Sequence, residues 1–235
     1  MLSSSKDDNF CYPIPEGLET KKLLLVPFIP SLHAEIIAQA TDAATWHYLP
    51  FGPFPTGQAL IAGFYEARIH PNRGDTLFVG YDKTQGAESP GGTPAGICGY
   101  VYTNPDDLFT ELFVLVFPGF RRTHVASHMV GLLMRYALDL PGAGGLGLRR
   151  VQWAANVRNE GSVGLARRMG FRVEGVRRWA RVLEVGKGEG GNGVRPREGD
   201  PRAGCPGRDT VTLAICWDEW EDGGREKVEG ILLLL

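Results

Sequence analysis

The sequence predicts an α/β fold of the mixed (α+β) kind, a mixed central sheet of about seven strands with flanking helices. Three observations predict it. Glu111–Phe117, reading ELFVLVF, is the most strongly apolar run, and a strand apolar on both faces belongs in the middle of a covered sheet. From His124 to Leu140, the residues Val125, Met129, Leu132, Leu133, Tyr136, Ala137 and Leu140 form one apolar stripe at the 3.6-residue period of an amphipathic helix. The elements then follow in the order strand, helix, helix, three strands, helix, strand, helix, two strands, with the long helix as the central crossover.

Each element has its local reason. Leu18–Phe28 carries Leu23-Leu24-Leu25-Val26, a short apolar run suited to a strand. Ser31 stands before Ala34–Thr41, where Ile36, Ile37 and Ala40 recur at helical spacing, so Ser31 is the expected cap. Trp46–Pro55 (WHYLPFGPFP) is too rich in proline for a long helix. Gly57–Ile69 reads as a second helix, and Thr76–Tyr81 and Ala95–Thr103 as β-branched and aromatic strands separated by the turn-rich Lys83–Thr93. Pro118-Gly119 ends the central strand, and Pro141–Gly147 ends the long helix. Arg150–Ala154 is a strand, Ser162–Met169 a short helix stopped by Gly170, and Val173–Glu184 and Thr210–Trp217 a closing pair of strands. Met1–Gly17 is expected to be a flexible arm, residues 18–220 the folded domain, Val185–Arg208 an exposed mobile Gly-rich loop within it, and 221–235 a tail without a role.

Composition narrows the function. The 235 residues are 43% hydrophobic, enough for a substantial core. Basic and acidic residues, 25 against 27, leave a formal net charge of -2, so no broad positive field exists for nucleic acid. No apolar run approaches the roughly 20 residues of a membrane span. Met1–Asn9 lacks the charged-then-apolar order of a secretory leader. Cys11, Cys98, Cys205 and Cys216 form no CxxC pair, which argues against zinc, a redox site or a disulfide framework and for reduced thiols in the cytoplasm. His33, His70 and His128 show no metal-ligand spacing with acids, and no metal is expected.

The chemistry is expected where strand, turn and helix meet after Phe117. The first turn of a helix has amides without intrahelical partners and a dipole that favours an anion. Arg121 and Arg122 stand immediately before that turn, so together they suit a phosphate or diphosphate, although two arginines at a solvated corner are equally ordinary.

The run FPGFRRTHVASHMVGLLMRYAL, followed by RRVQWAANVRNEGSVGLARRMGFRVEGVRR, resembles the core of the GNAT acetyltransferases, in particular their RimJ/RimL-like branch. The more specific element is Asn156-x-x-Asn159-x-x-Ser162 closed by Met169-Gly170-Phe171, and the similarity extends over roughly residues 18–184 and 208–220. It implies acetyl-CoA as co-substrate, with Arg121, Arg122, Thr123, His124, Val125, Ala126 and Ser127 forming the diphosphate loop and Asn156 and Asn159 contacting the pantetheine arm. It also implies that the amides of Val114, Leu115 and Val116 bind pantetheine on a strand that splays from its neighbour, with Glu111 as the base acting through water. His124 stands where the family has its first loop glycine and Ala126 replaces the second; His124 is tolerated if its ring points outward, where it could donate to the diphosphate. A tyrosine common seven residues after the second asparagine is Ala166 here, leaving Ser162 or water to protonate the leaving thiolate.

The expected activity is therefore transfer of an acetyl group to a primary amine, on a small metabolite or a protein N-terminus, by a monomer or homodimer without nucleic-acid or membrane partners. A non-catalytic acyl-CoA-binding module and an O-acetyltransferase of a secondary metabolite are the alternatives. Trp46, His47, Tyr48, Phe51 and Phe54 are expected to wall the acceptor pocket, to pack on the sheet as a lid, or both. Cys98 and Cys216 read as packing residues, not nucleophiles.

Overall fold

The computed structural model describes residues 9–85 and 91–234; part of the expected turn Lys83–Thr93 and of the arm Met1–Gly17 lies outside them. The strands are β1 (Leu18–Glu19), β2 (Leu23–Pro27), β3 (Thr76–Asp82), β4 (Thr93–Asn104), β5 (Phe109–Val116), β6 (Arg150–Asn156), β7 (Arg172–Val182) and β8 (Gly207–Cys216). They form one sheet in the order β1-β2-β3-β4-β5-β6-β8-β7. The sheet thus has eight strands, the short β1 being the addition to the seven expected. The central strand is β5, antiparallel to β4 and parallel to β6, as its apolar sequence required. A parallel neighbour needs a crossover, and α3 (Val125–Leu138) supplies it.

The parallel pairing of β5 with β6 is short. Only Phe109↔Arg150, Thr110↔Val151 and Glu111↔Gln152 are in register, and beyond Glu111 the two strands part. Every other strand pair is antiparallel. The sheet is therefore continuous on either side of a cleft that opens at its middle.

Helices cover both faces. On one, α3 buries Val125, Met129, Val130, Leu132, Leu133 and Met134 against the sheet, each such side chain contributing roughly 1.5–3 kcal/mol. α4 (Glu160–Arg168) ends at Met169 and then Gly170, whose φ of 101° explains the glycine predicted to stop it. On the other face, α1 (Pro30–Ala40) and α2 (Gly57–Leu60), extended by the π-wound turn Ile61–Ile69, pack Ile37, Leu60 and Phe64 around Trp46. Ser31 is not the cap of α1. The helix starts one residue earlier with Pro30, its N-cap position is Ile29, and the Ile29 amide donates instead to His33 Nδ1 at 2.8 Å.

Three peripheral segments pack more closely than their composition suggested. In the expected arm, Phe10 stacks on Tyr100 and Tyr136 Oη donates to the Pro13 carbonyl at 2.6 Å. After β8 come the short α5 (Trp217–Glu219) and the buried Trp220, the expected tail forms α6 (Arg225–Leu234), and Asp139 accepts from both Trp220 Nε1 and Arg225 Nε at 2.9 Å. Between β7 and β8 the Gly-rich segment is docked, not free: Lys187 Nζ donates to the carbonyls of Phe51, Leu49 and Trp46 at 2.6, 2.9 and 3.4 Å. A single ammonium replaces water for three main-chain acceptors, which glycine content alone could not forecast.

Candidate active site

The cleft opens directly onto Glu111. This residue occupies the last paired rung of β5, and its Oε2 accepts from Gln152 Nε2 at 2.6 Å. Burial pushes the Glu111 carboxyl above the ordinary carboxylate range, while Gln152 and the guanidiniums of Arg177, Arg181 and Arg208 act in the opposite direction. A carboxylate raised towards neutrality is better matched to taking a proton near pH 7.

Past Glu111, β5 presents one edge to the cleft. Phe117 N donates to the Ala95 carbonyl of β4, and the alternation of an antiparallel ladder then directs the Leu115 amide to β4 as well. The even-numbered residues face β6: the Leu112 amide closes the last rung onto Gln152, and the amides of Val114 and Val116 face the edge from which β6 has departed. Leu115, expected to present its amide to the cleft, is thus corrected: its amide belongs to the β4 ladder and its side chain is buried in the core.

From Glu111, β5 runs about 17 Å to its end at Val116, and the start of α3 follows after the turn 117–124. The His124 cap position has no side-chain hydrogen bond to the helix, and the amides of Ala126 and Ser127 have no main-chain acceptor. Val125 N is satisfied by Thr123 Oγ1 at 3.3 Å, and Thr123 itself donates to the Phe120 carbonyl. Arg121 and Arg122 are exposed beside this turn, with Arg121 donating to Thr45 Oγ1 at 3.0 Å. Arg168 of α4, which sequence reasoning missed, donates to Ser127 Oγ at 3.0 Å and brings a third guanidinium to the corner. The His124 ring does not turn outward: Nε2 lies 3.3 Å from the buried Asp82 Oδ1, an ion-pair distance without hydrogen-bond alignment, and the ring meets His128 edge-on. Its side chain is therefore not an additional donor to an anion at the helix start. Uncapped amides, a free strand edge and clustered guanidiniums suit the diphosphate and pantetheine of acetyl-CoA.

The remaining predicted residues are placed as follows. Asn159 caps α4, its Oδ1 accepting from Ser162 N at 3.1 Å. The side chain of Asn156 is buried and engaged at both ends, accepting from Arg158 N at 2.9 Å and donating to the Gly190 carbonyl at 2.7 Å, so it secures the Gly-rich segment and is not free for a pantetheine arm. Ser162 Oγ accepts from Trp153 Nε1 at 3.0 Å and lines the cavity, its proton free to donate. Ala166 is wholly buried in the core, so no side chain there could reach the cavity without displacing packing.

On the Glu111 side the cleft widens into a cavity of about 330 Å³. Of the aromatic stretch, Tyr48 and Phe51 line it; Trp46 is fully buried with Phe54 against it, and His47 turns to Glu189 at 3.2 Å. The cavity also contains residues that sequence reasoning passed over. Asp75 accepts from Tyr102 N at 2.7 Å and its carboxyl is raised to about 6, chiefly by burial and further by Glu111. Arg68 lies over the Phe51 ring at 4.8 Å, and Arg177, Arg181 and Arg208 reach in from β7 and β8. Arg177, Arg178 and Arg181 fall close together in an otherwise strand-like segment, the one sequence signal that could have marked them.

The comparisons with known proteins agree with this architecture. A family model described as the acetyltransferase (GNAT) domain matches residues 22–172. The chain belongs to that family, and it is an acyltransferase enzyme. Among solved structures it is similar to a GCN5-related N-acetyltransferase from Brucella melitensis (TM-score 0.71, 21% identity, 94% of this chain and 86% of that one). It is also similar to a protein named as a probable acetyltransferase of the GNAT family from Chromobacterium violaceum (TM-score 0.69, 26% identity, 94% and 95%). A chimera of Vibrio cholerae spermidine N-acetyltransferase SpeG and hSSAT has the same fold at TM-score 0.61 and 16% identity, over 86% of this chain and 99% of that one. No curated protein matches the sequence. Among the described residues no helix is long and apolar enough to cross a membrane, and no cluster of side chains suits a metal ion.

Proposed function

We propose that the protein is an acetyl-CoA-dependent N-acetyltransferase of the RimJ/RimL-like branch, working in the cytoplasm on a primary amine. The observation that carries this reading is the position of Glu111 at the point where β5 and β6 separate, with free strand amides leading from it to the uncapped start of α3. When bound, acetyl-CoA supplies the thioester carbonyl that the amine attacks, the C–N bond forming as the C–S bond breaks. Arg121, Arg122 and Arg168, with the amides of Ala126 and Ser127, hold the diphosphate. The Val114 and Val116 amides align the pantetheine arm and offer donors to a developing oxyanion. Glu111, its pKa raised by burial, accepts the ammonium proton directly or through water. The hydroxyl of Ser162, or water, returns a proton to the departing thiolate.

Thiol release from acetyl-CoA across an amine panel, with mass analysis of the product, tests this reading. An amide product and stabilisation of the protein by coenzyme A are expected. A base-labile ester would make it an O-acetyltransferase, and absence of both thiol release and coenzyme A binding would overturn the reading.

A further inference from the structure

The reaction as described uses one end of the cavity and leaves the other unexplained. Arg208 of β8 is 6% exposed, lines the cavity, and its Nε has no hydrogen-bond partner. Among the described residues it forms no ion pair. Burial, opposed by the nearby carboxylate of Glu111 but reinforced by Arg181 and Arg177, lowers its pKa to about 10. Taking a guanidinium out of water without a counter-ion is costly, and chains rarely tolerate it where nothing repays the cost.

Arg208 is not alone. It faces Arg181 across the β7–β8 ladder, and Arg177 lies on the same strand as Arg181. Among the described residues the Arg177 guanidinium has no ion-pair partner, and that of Arg181 donates to the Ala180 carbonyl and the Tyr102 hydroxyl. The strand is built for this. Between Arg177 and Arg181 the register shifts, Trp179 adopts φ 52° and donates its amide to Asp209 Oδ1 at 2.8 Å, and its ring covers Gly207 so closely that a Cβ there would clash with it. This bulge turns the end of β7 over the cavity. The guanidiniums line the same cavity as Glu111, and none of residues 121–127 at the start of α3 lines it, so they do not belong to the diphosphate corner.

We infer that the acceptor is an amine that also carries an anionic group, a carboxylate or a phosphate, seated on Arg208, Arg177 and Arg181 while its nitrogen faces Glu111. This rests on the acetyltransferase reading and names the substrate class of that same site. A guanidinium fork matches either oxyanion, and the apolar wall of Tyr48, Phe51 and Phe113 fits the short carbon body between the two ends. A polycation such as spermidine, the substrate named for one structural neighbour, is disfavoured by the excess of positive charge.

The test measures kcat/KM by thiol release for 4-aminobutyrate, glutamate and 2-aminoethyl phosphate against butylamine and spermidine, together with calorimetric binding of each to the coenzyme A complex. The acidic amines should be preferred at least tenfold in one assay or the other, the ratio between carboxylates and phosphate separating the two anions. Arg208→Gln should raise the KM for the preferred acidic amine about 10- to 100-fold, the size of one charge-assisted hydrogen bond, with the acetyl-CoA KM unchanged. Arg177→Ala, at an exposed position, gives the same reading should the buried substitution unfold the protein. Equal or better use of butylamine or spermidine would overturn the inference and leave the transferase intact. Binding of none of the acidic amines, with coenzyme A still bound, would also overturn it, whereas loss of coenzyme A binding itself would strike the transferase reading.

Discussion

Gln152 Nε2 donates to Glu111 Oε2 across 2.6 Å, on the last rung that joins β5 to β6. One amide thereby fixes the orientation of the carboxylate at the mouth of the cleft and favours its charged form. Replacing Gln152 by leucine should move the acid limb of the kcat/KM profile to higher pH, because the hydrogen bond that opposed burial is gone. Replacing Glu111 by glutamine should lower kcat/KM by about 10²–10⁴ and abolish that limb. A pH–rate profile of the two variants checks both, and an unchanged profile in Glu111→Gln would remove it as base.

The anion corner separates charge from strain. Arg122 has φ 63°, a left-handed conformation that costs a non-glycine residue on the order of 1–2 kcal/mol. Arg122→Gly should therefore raise the melting temperature slightly while raising the KM for acetyl-CoA. Arg121→Ala should raise the same KM and leave that of the acceptor alone. Steady-state kinetics in both substrates, with thermal melts, distinguishes these effects.

Asp75 gives the fold its own pH dependence. Its carboxyl is raised from 3.8 to about 6, so the folded protein holds that proton more tightly than the unfolded chain. The stabilisation is present in full below pH 3.8 and is lost as pH rises through about 6. Asp75→Asn keeps an acceptor for the Tyr102 amide and should flatten the decline between those values. Denaturant titrations across that interval measure it, and an identical slope in the variant would show that Asp75 is not responsible.

Lys187 secures the segment between β7 and β8 to the aromatic stretch. Lys187→Met leaves the carbonyls of Phe51, Leu49 and Trp46 without their donor, a loss of about 1–3 kcal/mol for buried acceptors. Faster cleavage by trypsin within residues 195–202, at a lower melting temperature, is the expected result.

The sequence made the central unit legible because its signals are local. Six apolar residues after Glu111, the stripe on α3 and the glycine after α4 each specify one element without reference to distant chain. Glu111 was singled out by the resemblance to the family, and the same apolar run located it on the central strand. What escaped depends on contacts far apart in sequence. Asp75 meets the Tyr102 amide only once β3 and β4 are assembled, and Arg208 faces Arg181 only across a hairpin closed by 24 intervening residues, 183 to 206. Asn156 looked like a ligand-binding residue, yet its carboxamide reaches a glycine carbonyl 34 positions away. An outward His124 ring was the condition for tolerating it in the loop, and the partner that holds it inward, Asp82, lies far back in the chain on β3.

Three rungs between β5 and β6 have a mechanical consequence. The first five strands and the last three resemble the leaves of a book, bound along a spine formed by α3 and the Glu111–Gln152 contact. A molecule lying in the gutter stitches the leaves together along their length. Its hold on the protein should therefore be felt by amide exchange in both leaves at once, and by neither alone.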